Sequence, residues 1–223
     1  DMAKSRGLGD VYKRQGKERL KSMIETRPDW CVSRQRVWGV PLPIFISKKD
    51  EKVLVDEEVF NNIANIFEKE GSDCWFEDNK QKFLGKKYNE NDYYQTTDIV
   101  EVWFDSGSTH SFVLEQRDDL KWPASLYLEG SDQHRGWFHS SLLESCGTRG
   151  EAPFEAILSH GFVVDGKGLK MSKSLGNVIS PEEILKKYGA DILRIWVAAS
   201  NYAEDLRIDH KILEQHADAY RKL

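Results

Sequence analysis

The chain contains 223 residues, carries a net charge of -5, and is 39% hydrophobic and 31% charged. A chain of this length can bury a sizeable core in one domain or two small ones, and its composition argues against intrinsic disorder. No apolar run of about 18 residues occurs and the first fifteen residues lack an apolar h-region, so a cytoplasmic protein without a membrane span or signal peptide is expected.

The first forty residues predict a tail, a helix, a short strand and a loop. Residues 1–15 show no apolar period and are interpreted as a tail. A helical period starts near Lys17 and ends before Pro28, because the residue that precedes a proline leaves the helical region. Residues 30–32 then predict a short buried strand, and residues 33–39 predict a loop.

A polar insertion is predicted between residues 47 and 97. Lys, Glu, Asp and Asn dominate this stretch, as in a solvated segment added to a core domain. Apolar residues recur at helical spacing from Glu57 to Glu70, which predicts a helix there. Little chemistry is expected in this insertion.

Three short apolar runs predict the strands of an α/β domain. They cover residues 99–104, 125–128 and 156–158, and glycine or polar residues follow each of them. Between the second and third runs, residues 132–146 repeat at helical spacing. A strand, a crossover helix and a second strand form the unit of a parallel sheet, so we expect the α/β class.

The last third of the chain predicts a glycine-rich loop and then helices. Residues 161–177 are rich in Gly, Lys and Ser and are interpreted as a mobile loop. A serine cap followed by a proline and a glutamate predicts a helix over residues 180–188, which Gly189 ends. Two further helices are predicted near residues 190–199 and 210–223, and the last has no stop signal, so it is expected to be truncated.

The junction after the second predicted strand is a candidate ligand site. In open α/β sheets, ligands bind beyond the carboxyl ends of strands, where the next helix presents free N–H groups to anions. Glu129, Gln133 and Trp137 are spaced four residues apart, so they would share one face if the turn is near-helical. A helix cap at Asp132 with a tryptophan packed in the core explains the same residues.

A basic glycine-rich loop at residues 166–177 is a second candidate. It carries three lysines and two serines among three glycines. Glycines allow a backbone to fold over a polyphosphate whose charge the lysines balance. The GxxxxGK[ST] pattern of a Walker A loop is absent. A solvated basic loop without a ligand remains the alternative.

Four other positions each have two interpretations. Trp103 could wall an apolar substrate pocket or pack in the core. Arg34 and Arg36 could contact RNA phosphates or form surface salt bridges. His160 could touch a nucleotide at the end of the third predicted strand or lie hydrogen-bonded in the core.

The three cysteines and six histidines predict no metal or redox site. No CxxC or HExxH spacing occurs among them. Cys31, Cys74 and Cys146 are interpreted as small core thiols.

Five segments, in this order, resemble the isoleucyl-tRNA synthetases, a family of class I aminoacyl-tRNA synthetases. They are RPDWCVSRQRVWGVPLPIF from residue 27, VWFDSGSTHS from residue 102, YLEGSDQHRGWF from residue 127, HGFVVDGKGLKMSKSLGN from residue 160 and GADILRIWVAAS from residue 189. The resemblance covers residues 16–223, and five long motifs in order are specific. Valyl- and leucyl-type enzymes share the KMSKS sequence and remain the alternative.

The resemblance implies an enzyme that forms isoleucyl-adenylate from isoleucine and ATP and transfers the isoleucyl group to tRNA-Ile. Trp103 and Trp137 are implied to line the isoleucine pocket. Gln133 is implied to lie near the amino group, and Glu129 near the ribose end of the adenylate. Such chemistry depends on alignment and charge stabilisation, so no side-chain nucleophile is expected.

The resemblance also places ATP on this chain. Contacts with the ribose or the adenine are implied for Gly130, Asp132, His160, Phe162 and Val163. The loop that closes over the phosphates is implied to contain Lys170, Met171, Ser172, Lys173 and Ser174, with the two lysines as catalytic residues. Mg²⁺ is expected with ATP, and no metal bound by the chain itself.

The resemblance divides the chain into five parts. These are an unassigned tail at 1–15, a return into the nucleotide-binding core at 16–46, the polar insertion at 47–97, the second half of a Rossmann-type catalytic domain at 98–178, and a stem-contact region with the start of a helical anticodon-binding domain at 179–223. None of the six histidines begins the HIGH motif of the family. The chain is therefore expected to be a fragment of a monomeric enzyme and inactive alone, with a non-catalytic nucleotide- or tRNA-binding module as the alternative.

Overall fold

The computed structural model describes residues 8–222 and belongs to the α/β class. The strands are β1 (Ser33–Arg34), β2 (Phe45–Ser47), β3 (Tyr93–Gln95), β4 (Ile99–Val100), β5 (Tyr127–Gly130), β6 (Ile157–His160), β7 (Val163–Asp165) and β8 (Leu206–Ile208). The helices are α1 (Leu8–Glu25), α2 (Glu57–Glu70), α3 (Lys80–Leu84), α4 (Val102–Gly107), α5 (Trp137–Arg149), α6 (Pro181–Tyr188), α7 (Ala190–Ala199) and α8 (His210–Tyr220). β1 pairs with β4 and β2 with β3, both antiparallel, whereas β5 pairs with β6 and β7 with β8, both parallel. None of the described helices is long and apolar enough to cross a membrane.

The amino-terminal helix starts earlier than predicted. α1 begins at Leu8 rather than near Lys17, so the second half of the predicted tail is helical, while residues 1–7 lie outside the described residues. Lysine, arginine and glutamine favour helices without forming an apolar face, so the apolar period gave no sign of this start. α1 ends at Glu25, before Pro28, as predicted.

The apolar run at residues 99–104 is only partly a strand. Its first two residues form β4, which pairs antiparallel with β1, and α4 begins after Glu101. The Glu101 carboxylate accepts the Trp103 N–H at 2.9 Å, so it caps α4 and the strand ends there. The prediction that this run joins a parallel sheet is therefore wrong. The strand predicted at residues 30–32 forms instead at Ser33–Arg34, inside the predicted loop.

The predicted strand–helix–strand unit is confirmed. β5 and β6 are parallel and adjacent, and α5 is the crossover between them. A 3₁₀ turn from Ser131 to His134 separates β5 from α5, so the helix begins at Trp137 rather than at Asp132. The register pairs Gly130 with His160, which places the carboxyl ends of both strands side by side.

A second parallel pair lies where no strand was predicted. β7 pairs with β8 from Val163 opposite Leu206 to Asp165 opposite Ile208. Each strand has only three residues, too few for an alternating pattern to indicate a strand. β7 therefore begins the predicted mobile loop with a fixed element.

The helices at the carboxyl-terminal end follow the prediction closely. Ser180 Oγ accepts the Glu183 N–H at the start of α6, and Gly189, with a φ of 84°, ends it. Only glycine adopts such a φ without strain. α7 has its predicted bounds, and α8 ends at Tyr220 within the predicted range.

Two apolar clusters support these elements. One, which lies mostly within the predicted insertion, contains Phe45, Val59, Ile63, Cys74, Trp75, Phe83 and Leu84. The carboxyl-terminal helices pack around Ile184, Ile192, Trp196, Ile208, Leu213 and Ala217. The segment predicted as a polar insertion therefore buries several apolar side chains despite its polar composition.

The interpretation of the cysteines as core thiols is right for one of them. Cys74 is buried in the insertion core, whereas Cys31 and Cys146 are exposed. Cys31 lies in the irregular segment before β1, and Cys146 lies in the last turn of α5 on a solvent face. Both side chains are exposed rather than packed in a core, so the interpretation is wrong for both.

Candidate active site

At the carboxyl ends of β5 and β6, Glu129 and His160 lie beside Gly130, whose backbone carries no side chain. Glu129 Oε1 and His160 Nε2 are 3.9 Å apart, and both side chains are partly exposed. A Cβ atom added at Gly130 would lie 2.7 Å from Asp132 Oδ1 and 3.8 Å from His160 Cε1. Glycine therefore keeps this edge open between two carboxylates and an imidazole.

The hydrogen bond of His160 determines which ring nitrogen is free. Its Nδ1 lies 2.8 Å from the carbonyl oxygen of Gly161. A carbonyl only accepts, so Nδ1 donates, and Nε2 is the acceptor in the neutral ring. Nε2 points toward Glu129 and is able to accept from a ligand hydroxyl.

Two tryptophans converge on the turn after β5. Trp137 stacks on Tyr127 with ring centroids 4.1 Å apart and donates from Nε1 to the Ser106 carbonyl at 3.0 Å. Trp103 reaches the same turn, since a Cβ atom at Gly136 would lie 3.0 Å from Trp103 Cη2. Trp137 is thus fixed on two sides, while Trp103 is 42% exposed and presents a free ring surface.

Gln133 lies between Asp132 and Trp137 and contacts both of them. Its Oε1 accepts the Trp137 N–H at 2.9 Å, and its Nε2 lies 3.3 Å from Asp132 Oδ2. Gln133 therefore caps a free N–H at the start of α5, the role considered for Asp132 in the sequence. Gln133 and Trp137 lie together as their spacing predicted. Glu129 does not share their face, because β5 continues through it and holds it beside His160.

Two carboxyl groups are partly buried where α4 packs against α5. Glu144 Oε1 lies against Gly107 and has no hydrogen-bond partner among the described residues. Burial, and then the charge of Asp105, raise the pKa of Glu144 to about 8. Burial followed by the charge of Glu101 also raises the pKa of Asp105. Glu144 is therefore a neutral acid at pH 7, so α4 contacts α5 without a second buried negative charge.

In the basic loop, Met171 packs against the rest of the chain, whereas the side chains of Lys170 and Lys173 are exposed. Met171 packs against the apolar cluster of the carboxyl-terminal helices. The backbone of Lys170 bridges to Val164 in β7, and Lys173 begins a 3₁₀ turn that ends at Leu175. The side chains of both lysines are exposed, and neither takes part in an ion pair within the described residues. Their ammonium groups are therefore available to an anion.

The chain just after β6 is held by the loop that precedes β8. The Phe162 N–H donates to Asp205 Oδ1 at 2.8 Å. A Cβ atom at Gly161 would overlap the Glu204 carbonyl oxygen, so only glycine fits there. The side chains of Phe162 and Val163 are 49% and 43% exposed, which leaves apolar surface beside the strand edge.

The loop with two arginines has one fixed and one free guanidinium. Arg34 donates to the carbonyls of Cys31 and Ser33 at 2.6 and 2.8 Å and lies 3.8 Å from Glu101. Arg36 is exposed and makes no ion pair within the described residues. The salt-bridge interpretation therefore applies to Arg34, and the phosphate interpretation stays open for Arg36.

Sequence reasoning missed three polar residues of this region: Glu144, Asp165 and Asn177. Glu144 lies in α5 beside the buried Ser145, and no signal in the sequence indicated that its carboxyl would face α4. Asp165 precedes a glycine and Asn177 follows one, which is typical of turns held by side-chain hydrogen bonds.

Comparison with known proteins assigns this architecture to a family. Residues 5–209 match the family described as tRNA synthetases class I (I, L, M and V). The chain belongs to this family. Two curated class I relatives are isoleucine–tRNA ligases. That of Pelagibacter ubique is 77% identical over 95% of this chain and 23% of its own length, and that of Brucella abortus is 57% identical over 93% and 21%. The isoleucyl resemblance of the motifs is thus confirmed.

A solved class I synthetase shares the fold. LeuRS of Agrobacterium radiobacter, solved as a ternary complex with tRNA and LeuAMS, superposes with a TM-score of 0.63 at 18% identity, covering 100% of this chain and 31% of that chain. The predicted α/β class and synthetase architecture are therefore confirmed. This chain spans about a quarter of the length of the curated synthetases it matches.

Proposed function

We propose that the chain is the KMSKS-containing part of an isoleucine–tRNA ligase, which activates isoleucine with ATP and transfers it to tRNA-Ile. The observation that supports this most strongly is the 77% identity to the Pelagibacter ubique ligase over 95% of the chain. A valyl- or leucyl-type enzyme is the second candidate. The 57% identical relative is also an isoleucine–tRNA ligase, which favours isoleucine.

Trp103 and Trp137 form the proposed isoleucine pocket. Trp137 is held by Tyr127 and by the Ser106 carbonyl, so it provides a rigid wall. Trp103 is partly exposed beside the same turn and provides the wall that a ligand would cover. Two aromatic walls on separate helices suit a branched aliphatic side chain, because both bury apolar area against it.

The polar groups around this pocket suit the rest of an aminoacyl-adenylate. Gln133 Oε1 already accepts the Trp137 N–H and keeps a second lone pair for the α-amino group of isoleucine. Asp132 and Glu129 are proposed to accept from the ribose hydroxyls, while Gly130 lets the sugar approach the backbone. Each of these residues lies at the carboxyl end of β5 or in the 3₁₀ turn that follows it.

The adenine is proposed to lie beyond the end of β6. His160 offers Nε2 as an acceptor there. Phe162 and Val163 offer partly exposed apolar surface. A base has a flat apolar face and a polar edge, so this combination suits it.

The loop from Lys170 to Ser174 is proposed to bind the phosphates of ATP. The isoleucine carboxylate attacks the α-phosphorus, and the new O–P bond forms as the bond to pyrophosphate breaks. Negative charge then grows on the leaving pyrophosphate, where free ammonium groups stabilise it most. Lys170 and Lys173 carry such groups, and Met171 and Ser172 provide the backbone between them.

The remaining partners follow from the proposed reaction. Mg²⁺ is proposed to accompany the ATP phosphates. Residues 16–222 contain no group of three His, Cys, Asp or Glu side chains that could hold a metal ion, so no side chain is assigned to it. A translation enzyme of this kind is proposed to act in the cytoplasm as a monomer, with tRNA-Ile as its macromolecular partner.

The proposal is tested in a chimeric ligase. Residues 16–223 would replace the matching segment of the Pelagibacter ubique isoleucine–tRNA ligase, which is similar enough for the interfaces to be retained. We expect the chimera to catalyse ATP–pyrophosphate exchange with isoleucine, at a kcat/KM at least about 100-fold above that with leucine. Exchange that depends on leucine or valine instead would support the second candidate, and a folded chimera without exchange would contradict both.

A further inference from the structure

The turn that carries the KMSKS sequence is held from one side by a single carboxamide. Asn177 Oδ1 accepts the Ser172 N–H at 2.9 Å. Its Nδ2 donates to the Lys170 carbonyl at 3.2 Å and to Asp165 Oδ2 at 2.9 Å. One side chain thus fixes the backbone on both sides of Met171 and ties it to the end of β7.

Asp165 holds the other side of the same turn. Its Oδ1 accepts the N–H groups of Lys167 at 2.9 Å and Leu169 at 2.8 Å. The hydrogen bond from Asn177, and then the one from the Leu169 N–H, lower the pKa of the Asp165 carboxyl. The carboxylate is therefore ionised at neutral pH and binds all three donors in its charged form, which makes each of these bonds stronger.

The two residues rest on a rigid support. Asp165 is the last residue of β7 and lies opposite Ile208 in the parallel pair with β8. The next residue, Gly166, lies against the carboxylate of Asp209, and Asp209 caps α8 by accepting the Ile212 N–H at 2.7 Å. The turn is thus connected to the carboxyl-terminal helices through Gly166 as well as through Met171.

We infer that Asn177 and Asp165 are positioning residues for the two lysines of the KMSKS turn. This inference rests on the proposed function of the turn. Neither residue needs to touch ATP, because both act through the backbone of residues 167–172. A glycine-rich turn has many accessible shapes, and a fixed shape places ammonium groups without reorganisation at the moment when charge develops.

Exchanging the carboxylate and the carboxamide between positions 165 and 177 tests the inference specifically. Asn177→Asp removes the donor and sets a carboxylate against the Asp165 carboxylate. Adding Asp165→Asn restores the hydrogen bond between the two positions in the opposite direction. Position 165 then donates, and position 177 accepts. The single Asp165→Asn variant completes the cycle, so the energetic coupling between the two side chains can be measured directly.

In the chimeric ligase, N177D is expected to lower the kcat of isoleucine-dependent exchange roughly 10- to 100-fold, the loss that follows from a broken hydrogen bond to a charged group. The KM for isoleucine is expected to change less than about twofold, because the pocket residues are on other elements. The double variant is expected to recover most of the lost kcat, short of the wild-type value since the Lys170 carbonyl stays without its donor. Asn61→Asp, on an exposed face of α2, is the matched control and is expected to have no effect.

Two kinetic results would overturn the inference. One is an N177D kcat within about twofold of the wild-type value. The other is a double variant whose loss equals the product of the two single losses, since independent sites add in free energy.

Hydrogen exchange followed by mass spectrometry separates this inference from the proposed function. Peptides that cover residues 165–177 are expected to exchange faster in N177D than in the wild-type chimera, and to regain protection in the double variant. If the wild-type chimera is folded but inactive, the proposed function fails while this readout still supports or contradicts the network. Unchanged protection in N177D would show that the side chain does not hold the turn.

Discussion

Replacing Lys173 with alanine in the chimeric ligase is expected to lower the kcat of isoleucine-dependent ATP–pyrophosphate exchange about 100- to 1000-fold, as for other groups that stabilise developing charge. ATP affinity is expected to fall far less, because the charge that Lys173 stabilises grows only as the bond to pyrophosphate breaks. The Lys173 side chain is exposed and has no ion-pair partner within the described residues, so its removal leaves no buried group unpaired. Folding should therefore be unaffected, and single-turnover kinetics should assign the loss to the chemical step.

Lys167→Ala is the matched control for this prediction. Lys167 lies in the same loop and is also exposed, and its backbone N–H donates to Asp165 in the turn. We expect its exchange rate to stay within about twofold of wild type. An unchanged kcat in Lys173→Ala would remove the catalytic role proposed for that lysine. Equal losses in both variants would indicate a general effect of loop charge instead.

Trp137→Ala is expected to destabilise the chain by about 3–5 kcal/mol, the usual cost of removing a large aromatic side chain that packs on several neighbours. The substitution removes the stack on Tyr127 and the hydrogen bond to the Ser106 carbonyl, and with them the link between α5 and α4. Trp137→Phe retains a ring for the stack and loses only the indole donor, so about 1 kcal/mol is expected. Urea unfolding of the chain, followed by circular dichroism, measures both values.

Trp38→Ala provides the comparison for Trp137→Ala. Trp38 is 92% exposed, so removing the same side chain there should change the free energy of unfolding by less than about 0.5 kcal/mol. In the chimera, Trp137→Phe should also raise the KM for isoleucine more than the KM for ATP. A Trp137→Ala variant as stable as Trp38→Ala would show that Trp137 is not the rigid wall described above.

Local signals in the sequence predicted several elements well. α2 and α7 have the predicted bounds, since an amphipathic stripe covers each of them and Asp56 caps the start of α2. The crossover from β5 through α5 to β6 was also predicted, because both strands are apolar runs with a turn at their carboxyl ends. These cases depend only on residues close together in sequence.

The remaining differences arise from tertiary contacts and from competing local signals. Residues 102–104 are apolar but helical, because Glu101 caps a helix where the apolar run alone favours a strand. β8 forms only because β7 lies beside it, about forty residues away in sequence. The bonds from Asn177 to Ser172 and Asp165 likewise depend on the folded turn, which spacing alone does not define.

The sequence predicted which residues form the candidate site better than it predicted how they are arranged. Glu129, Gln133 and Trp137 were expected on one helical face. Gln133 and Trp137 do lie together, whereas Glu129 lies beside His160 of the neighbouring parallel strand, with Oε1 3.9 Å from Nε2. The intervening 3₁₀ turn causes the difference, since it changes the direction of the chain between strand and helix.

The most direct test of the account is a crystal structure of the chimera with a non-hydrolysable isoleucyl-adenylate analogue. We expect its isoleucine side chain between Trp103 and Trp137, and its adenosine at the carboxyl ends of β5 and β6, within hydrogen-bond distance of Gly130 or His160. An analogue that binds away from this edge, or whose side chain contacts neither tryptophan, would contradict the site proposed for this chain.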